Sequence, residues 1–206
     1  MKSSIKRAGV TLACALGLAA CGGGDGDLYL TGLLYNVTAE GMVLQNNGGD
    51  DLTIVKNQTD FQFANRVSTD DQFNVTVKTP PRNSSGCEVF NGKARANYYT
   101  IQQIRISCTI RTHALTVAIN GLKPTSSGLI LVNGSDKQEV PAGAQTSQKM
   151  ANVYEDAPYG VTVFQNPTDA ATGAKQTCTV SGGDTGSGSG TMKDADLNGK
   201  VVVTCV

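Results

Sequence analysis

From residue 28 onward, short apolar stretches recur along the chain and are separated by Gly, Asn, Asp or Ser. From Phe73 to Lys78 apolar and polar residues alternate, which is the period of a strand with one buried face. Tyr159, Val161 and Val163 repeat this pattern, and no window beyond residue 20 keeps a helical period. In the first half of the chain the predicted strands lie near residues 28–35, 42–46, 52–56, 61–64, 73–79, 87–91 and 101–109. This spacing predicts an all-β sandwich.

The sequence repeats itself with a period of roughly 90 residues. Gly41–Asn46 (GMVLQN) corresponds to Gly128–Asn133 (GLILVN), and Phe73–Val77 corresponds to Tyr159–Val163. The other matching blocks are Thr31–Leu33 with Asn120–Leu122, Pro81 with Pro167, Cys87–Val89 with Cys178–Val180, and Ile104–Cys108 with Val201–Cys205. We therefore predict two tandem β-sandwich domains, over residues 28–112 and 113–206.

Residues 1–20 have the pattern of a secretory signal peptide. Three basic residues precede an apolar run over residues 8–20, which is too short for a membrane-spanning helix of roughly 20 residues. The sequence Leu18-Ala19-Ala20-Cys21 then resembles the lipobox of bacterial lipoproteins. This resemblance implies that Cys21 becomes the N-terminus, with a diacylglyceryl group on its thiol and a further acyl chain, such as palmitate, on its amine. The alternative is an ordinary signal peptide whose Cys21 pairs within the fold.

Residues 21–27 are predicted to be the lipidated cysteine and a flexible glycine-rich tether, GGGDGD. Several acyl chains together anchor a protein stably in a membrane. Residue 22 is not Asp, and by analogy with enterobacterial lipoprotein sorting this favours the outer membrane. We therefore expect a protein of the Gram-negative cell envelope, held to the membrane through the lipid on Cys21.

Four cysteines remain for disulfides if Cys14 leaves with the signal peptide and Cys21 is lipidated. Four cysteines allow three connectivities. In each repeat one cysteine opens a strand and the other closes the next long strand, so that the two lie opposite each other in an antiparallel hairpin. Pairing within each repeat keeps the two units equivalent. The predicted disulfides are Cys87 with Cys108 and Cys178 with Cys205.

Each repeat has a Gly-Leu opening, an apolar run that ends in a polar turn, a Val-Thr-Val strand followed by Pro, and two cysteines. Gly41–Leu52 (GMVLQNNGGDDL) shows these features best, and its segment 46–51 is predicted to be a hairpin turn. The features resemble a tandem module of secreted proteins and lipoproteins of Gram-negative bacteria. The resemblance covers nearly all of residues 28–206 and implies immunoglobulin-like sandwiches. It implies no reaction, because such sandwiches serve many unrelated roles.

Charge argues against some classes of ligand. The whole chain has equal numbers of basic and acidic residues, and residues 1–20 hold three of the basic ones and none of the acidic ones. Removal of these three positive charges gives the mature chain, residues 21–206, a net charge of −3. Without a basic cluster we expect no nucleic-acid binding. We expect no cofactor either.

Few residues suggest catalysis. His113 is the only histidine, and it lies where the last strand of the first repeat meets the first strand of the second. A single histidine in this position does not favour a catalytic triad or a histidine-based metal site. The best ligand-like motif, Asp194-Ala-Asp196-Leu-Asn198-Gly, matches the opening of a calcium loop. The position of its closing Glu is Cys205, so a turn before the last strand is favoured over a calcium site. We predict no catalytic residue and no resident metal.

The loops of the two disulfide hairpins differ. The first, from Asn91, joins Lys93 and Arg95 to the adjacent Tyr98 and Tyr99, residue types that are common at interfaces. These four are the candidate contact residues. Alternatively, one tyrosine packs inward and the other covers the disulfide. The second loop, over residues 181–190 (SGGDTGSGSG), is expected to be mobile.

Together these features predict an envelope lipoprotein without catalytic activity. It would act as a binding, adhesion or spacer module for a protein or glycan partner. A calcium-dependent enzyme is one alternative. A periplasmic protein that neutralises or assists a partner protein is another.

Overall fold

A computed structural model describes residues 27–193 and 196–206, except for the side chains of residues 198 and 199. The predicted signal peptide, Cys21, most of the tether and Asp194 therefore lie outside the described residues. The described chain is an all-β sandwich, as predicted. Within it no helix has the length and apolar character needed to cross a membrane.

The first half of the described chain contains eight strands and one short 3₁₀ helix. They are β1 Leu28–Tyr35, β2 Met42–Asn46, β3 Gly49–Ile54, β4 Asp60–Val67, β5 Gln72–Thr79, β6 Ser84–Phe90, β7 Lys93–Arg95, the 3₁₀ helix Thr100–Gln102, and β8 Ile104–Ile110. Each of the seven predicted stretches overlaps a strand. The prediction from the sequence did not include β7. This strand has three residues, of which only Ala94 is apolar and half-buried, so it shows no apolar pattern.

The strands of the first half form two four-stranded sheets, in the orders β4-β1-β8-β6 and β3-β2-β5-β7. β1 pairs antiparallel with β4 and parallel with β8. The inward side chains of both sheets form one core, in which Phe61 and Phe63 meet edge to face at 5.8 Å and Phe73 is also buried. Alternation along strands such as β1 and β5 thus produces the buried face that the sequence predicts.

The described part of the second half contains twelve strands, several of them only two residues long. They are β9 Thr112–His113, β10 Leu115–Asn120, β11 Ser126–Ser127, β12 Ile130–Asn133, β13 Asp136–Glu139, β14 Gln148–Lys149, β15 Val153–Tyr154, β16 Pro158–Gln165, β17 Thr168–Asp169, β18 Cys178–Gly183, β19 Ser187–Thr191 and β20 Leu197–Cys205. Eight of them form one sheet, in the order β13-β12-β16-β19-β18-β20-β10-β14. The buried residues of this half form a second core cluster, from Leu115 to Cys205.

The strand pairings of the first half recur in the second. β10 runs parallel to β20 as β1 does to β8, and β18 pairs with β20 as β6 does with β8. β12 pairs with β13 and β16 as β2 pairs with β3 and β5. β16 pairs with β19 as β5 pairs with β7. The sequence repeat is therefore also a repeat of topology.

The pairing between β18 and β19 has no counterpart in the first half. β18 pairs parallel with β19 and joins what would be two sheets into one. Most of residues 181–190 belong to these two strands, so the expectation of a mobile loop is wrong. Glycine permits the close pairing of β18 with β19, since a Cβ on Gly183 would lie only 2.7 Å from the carbonyl oxygen of Ser189, and the φ of Gly183 is 69°.

Two further expectations concern local structure. The disulfides have the predicted connectivity, and in each case the two cysteines lie directly opposite each other, Cys87 with Cys108 and Cys178 with Cys205. The predicted hairpin turn joins β2 to β3 through Asn47 and Gly48, whose φ angles are 53° and 75°. Two consecutive positive φ angles are those of a type I′ turn, for which Asn-Gly is the preferred pair.

Candidate functional site

The turn that follows β7, residues 97–102, presents two aromatic rings to solvent; we call it the tyrosine turn. Tyr98 is 69% exposed and Tyr99 is 73% exposed. Their rings meet edge to face, with centroids 5.6 Å apart. Neither ring packs inward or covers the disulfide, so that alternative is wrong.

The backbone of the tyrosine turn is fixed by local hydrogen bonds. Asn97 Oδ1 accepts from the backbone N–H groups of Tyr99 at 2.9 Å and Thr100 at 3.1 Å. Thr100 Oγ1 donates to the carbonyl oxygen of Arg95 at 2.7 Å and accepts from the backbone N–H of Asn97 at 3.0 Å. The buried Ile101 anchors the turn in the core. The tyrosines therefore stand on a preorganised support, which lowers the entropic cost of a contact.

Lys93 and Arg95 lie on β7 immediately before the tyrosine turn. Alternation along the strand places both side chains on the exposed face, while Ala94 between them packs against the core. Arg95 Nη1 donates to the carbonyl oxygen of Asp70 at 2.9 Å, which orients its guanidinium group. β7 is an edge strand that pairs with β5 alone among the described strands. The four predicted contact residues are thus exposed members of one short segment, residues 93–99, in which Ala94 and Ala96 face the core.

A charge cluster around one buried carboxylate lies at the junction of the two halves, and the sequence did not predict it. The carboxylate of Glu155, whose side chain is 1% exposed, accepts from Arg111 Nε at 2.7 Å and from Arg111 Nη2 at 3.0 Å. His113 Nε2 lies 3.2 Å from the same carboxylate. Hydrogen bonds from Arg111 hold the pKa of Glu155 below its ordinary value, against the opposing effect of burial. Glu155 is therefore ionised at neutral pH.

Arg111 connects this cluster to the first half of the chain. Its Nη1 donates to the carbonyl oxygen of Ser84 at 2.7 Å, and its Nη2 donates to that of Arg82. The backbone adds a second connection, because the backbone N–H of Glu155 donates to the carbonyl oxygen of Arg111 at 2.9 Å and that of Arg111 donates to the carbonyl oxygen of Asn83 at 2.9 Å. The cluster thus fixes how the end of β8 meets the second half.

His113 takes part in this junction. Its Nε2 faces Glu155, and its Nδ1 lies 3.7 Å from Asp196 Oδ1. Among the described residues the ring forms its one hydrogen bond with Glu155, so no hydroxyl or thiol nucleophile adjoins it there. The ring is placed to interact with two carboxylates.

The calcium-like motif is only partly described. Asp194 and the side chain of Asn198 lie outside the described residues. Asp196 Oδ1 accepts from the backbone N–H of Ala114 at 2.7 Å and so contributes to the junction. Over residues 27–193 and 196–206, no three His, Cys, Asp or Glu side chains form a group suited to a metal ion.

Comparison with family models and with curated proteins returned no match. The β-sandwich architecture does not imply a function by itself, because it supports many unrelated roles. The tyrosine turn and the junction are the local features from which a function can be inferred.

Proposed function

We propose that the protein is a lipid-anchored protein of the bacterial envelope that binds a protein or glycan partner without catalysing a reaction. The contact residues are Tyr98 and Tyr99 together with Lys93 and Arg95. The observation that carries the proposal is the exposure of two adjacent tyrosines on a turn with a fixed backbone. Tyrosine and arginine are enriched among residues that dominate binding energy.

The remaining parts of the chain have supporting roles in this proposal. The lipid on Cys21 anchors the protein, and the glycine-rich segment up to residue 27 separates the folded part from the outer membrane. Two tandem immunoglobulin-like sandwiches, over residues 28–112 and 113–206, carry the contact segment. Because β1 begins at Leu28, the repeat that bears the tyrosine turn is the one attached directly to the tether.

Site-specific photo-cross-linking in living cells tests the contact surface. A photoreactive phenylalanine analogue in place of Tyr98 or Tyr99 is expected to give a discrete adduct. The same analogue in place of Phe164, an exposed aromatic residue of the second half, is the matched control and is expected to give none. Equal adduct formation at position 164 would contradict the assignment.

A second set of variants tests whether the tyrosines supply binding energy. With the cross-linker placed at Lys93, the double variant Tyr98→Ala and Tyr99→Ala is expected to lower the adduct yield at least tenfold, equivalent to about 1.4 kcal/mol. Phe164→Ala is expected to leave the yield unchanged. An unchanged yield in the double variant would show that the tyrosines are dispensable for the contact.

Metabolic labelling tests the anchor. Labelled palmitate is expected in the native protein and absent from Cys21→Ser. Protease treatment of intact cells, with Cys21→Ser as control, then establishes whether the folded part faces outward or towards the periplasm. A Cys21→Ser protein that still carries palmitate would refute lipidation at this residue.

A further inference from the structure

A cleft of about 320 Å³ opens at the junction of the two halves. It is concave, and small-molecule sites occur preferentially where structural units meet. None of the residues that line it belongs to the tyrosine turn. Its wall includes Thr38, Lys56 and Asn57 from the first half and Tyr154, Asp156 and Ala157 from the second.

The charge balance of the cleft favours an anion. Glu155 is paired with Arg111, and Asp156 is paired with Arg82 Nη2 at 2.9 Å, so both carboxylates are neutralised by residues of the junction. Lys56 has no ion-pair or hydrogen-bond partner among the described residues. The ammonium group of Lys56 is therefore the cation in the cleft that is available to a ligand.

The uncharged groups of the wall favour a ligand with hydroxyl groups and one apolar face. Tyr154 is exposed and offers a ring face beside the apolar surface of Ile110 and Ala157. Asn57 supplies an amide. Thr38 Oγ1 accepts a hydrogen bond from Asn83 Nδ2 at 2.9 Å, so the Thr38 hydroxyl hydrogen points away from Asn83.

Behind Thr38, and not itself part of the lining of the cleft, lies an incompletely satisfied polar group. Asn83 is fully buried, and its Oδ1 has no hydrogen-bond partner within the described part of the chain. Buried polar side-chain atoms are nearly always paired, with protein, water or ligand. The amide nitrogen of Asn83 holds Thr38 in place, whereas its buried oxygen is not exposed to a ligand in the cleft.

We infer that the cleft binds a small sugar acid of the uronic acid type. Its carboxylate pairs with Lys56, the C–H face of its ring packs on Tyr154, and its hydroxyl groups bond to Asn57 and Thr38. A simple fatty acid would not use the polar groups of Asn57 and Thr38, and a neutral sugar would not form the ion pair with Lys56. The inference does not depend on the contact role of the tyrosine turn.

Titration of the purified protein with galacturonate, followed by amide chemical shifts in NMR spectra, tests the inference. Saturable shifts are expected at Lys56, Asn57 and Tyr154. Galactose lacks the carboxylate and acetate lacks the ring, so each is expected to bind about fivefold more weakly. Absence of saturable binding, or equal affinity for galactose or acetate, overturns the inference. Tetragalacturonate distinguishes a free sugar acid from a residue of a polysaccharide, which would bind more tightly than the monomer.

Variants test the assigned groups against a matched surface pair. Lys56→Gln and Tyr154→Ala are each expected to weaken galacturonate binding at least about fivefold. The control pair is Lys137 and Phe164, neither of which lines the cleft. Lys137 Nζ lies 4.2 Å from the centroid of the Phe164 ring. Lys137→Gln and Phe164→Ala are expected to leave the affinity unchanged, and equal weakening by these controls overturns the inference. If Tyr154→Ala fails to fold, Lys56→Gln alone decides.

Discussion

Loss of the ion pair between Arg111 and Glu155 is expected to destabilise the protein more than loss of an exposed ion pair. The pair joins the Glu155 side chain, which is almost fully buried, to the Arg111 side chain, which is 38% exposed. The perturbation is a double-mutant cycle that consists of Arg111→Ala, Glu155→Ala and the two changes together. The cycle isolates the interaction between the two side chains from their other contacts.

The magnitude follows from the contacts. Two hydrogen bonds to a charged group, at 2.7 and 3.0 Å, are each worth about 1.5–3 kcal/mol when fully sheltered from water. Partial exposure of Arg111 lowers this value, so we expect a coupling energy of about 2–3 kcal/mol. Arg111→Ala alone is expected to cost about 3–5 kcal/mol, because it leaves the buried carboxylate without its cation. It also removes the donor from the carbonyl groups of Arg82 and Ser84.

Equilibrium unfolding in urea measures the four free energies of the cycle. The matched control is the exposed pair Lys78–Asp51, whose nitrogen and oxygen lie 2.5 Å apart with both side chains about half exposed. Its coupling energy is expected to be below about 1 kcal/mol. An Arg111–Glu155 coupling no larger than that of Lys78–Asp51 would contradict this expectation. It is also refuted if Arg111→Ala costs less than about 1 kcal/mol, since an unpaired buried carboxylate destabilises a fold by more than that.

Three further predictions concern pH, the hairpin turn and the disulfides. Hydrogen bonds from Arg111 lower the pKa of Glu155 in the folded protein below 4.5. The ionised carboxylate therefore stabilises the fold fully above pH 4.5, and this stabilisation is lost as the pH falls through the pKa of the folded state. In acid unfolding curves, the stability advantage of the native protein over Glu155→Gln should shrink. Gly48→Ala should lower the free energy of unfolding in urea by about 1 kcal/mol because of the positive φ at this position. A clash does not contribute, since a Cβ on Gly48 meets no atom within 4 Å. Gly49→Ala on the same hairpin is the control and should cost less. Replacing Cys87 and Cys108 together by Ala should lower the free energy of unfolding by about 3 kcal/mol, because the bond closes a loop with a sequence separation of 21; a loss below about 1 kcal/mol would contradict that model.

Alternating hydrophobicity was enough to locate most of the sandwich. Strands such as β5 bury alternate side chains over much of their length, so their burial can be predicted directly from the sequence. Repetition of the blocks added the pairing of the cysteines, since two equivalent units must place their cysteines equivalently. Asn47 and Gly48 predicted their own turn because few residues tolerate consecutive positive φ angles.

Local pattern could not reveal the junction. Glu155 is separated from Arg111 by 44 positions along the chain, and the two meet only because β15 pairs with β9. His113 attracted attention as the only histidine, but its neighbours depend on that same pairing. β19 was missed for a different reason: half of the segment 181–190 is glycine, and its backbone pairing with β18 leaves no hydrophobic signature.

Comparison of equivalent strands explains why contact is assigned to the first half. β7 and β19 both pair with the strand that carries the Val-Thr-Val motif of their repeat. In the second half β19 is also bound on its other side by β18, and its sequence is SGSGT. In the first half β7 stays at the sheet edge and leads into Tyr98 and Tyr99. The pairings that both halves share preserve the fold in each of them. The free strand edge with exposed tyrosines occurs in the first half and has no equivalent at β19. Preserving the fold does not require this difference, so we relate it to contact with a partner.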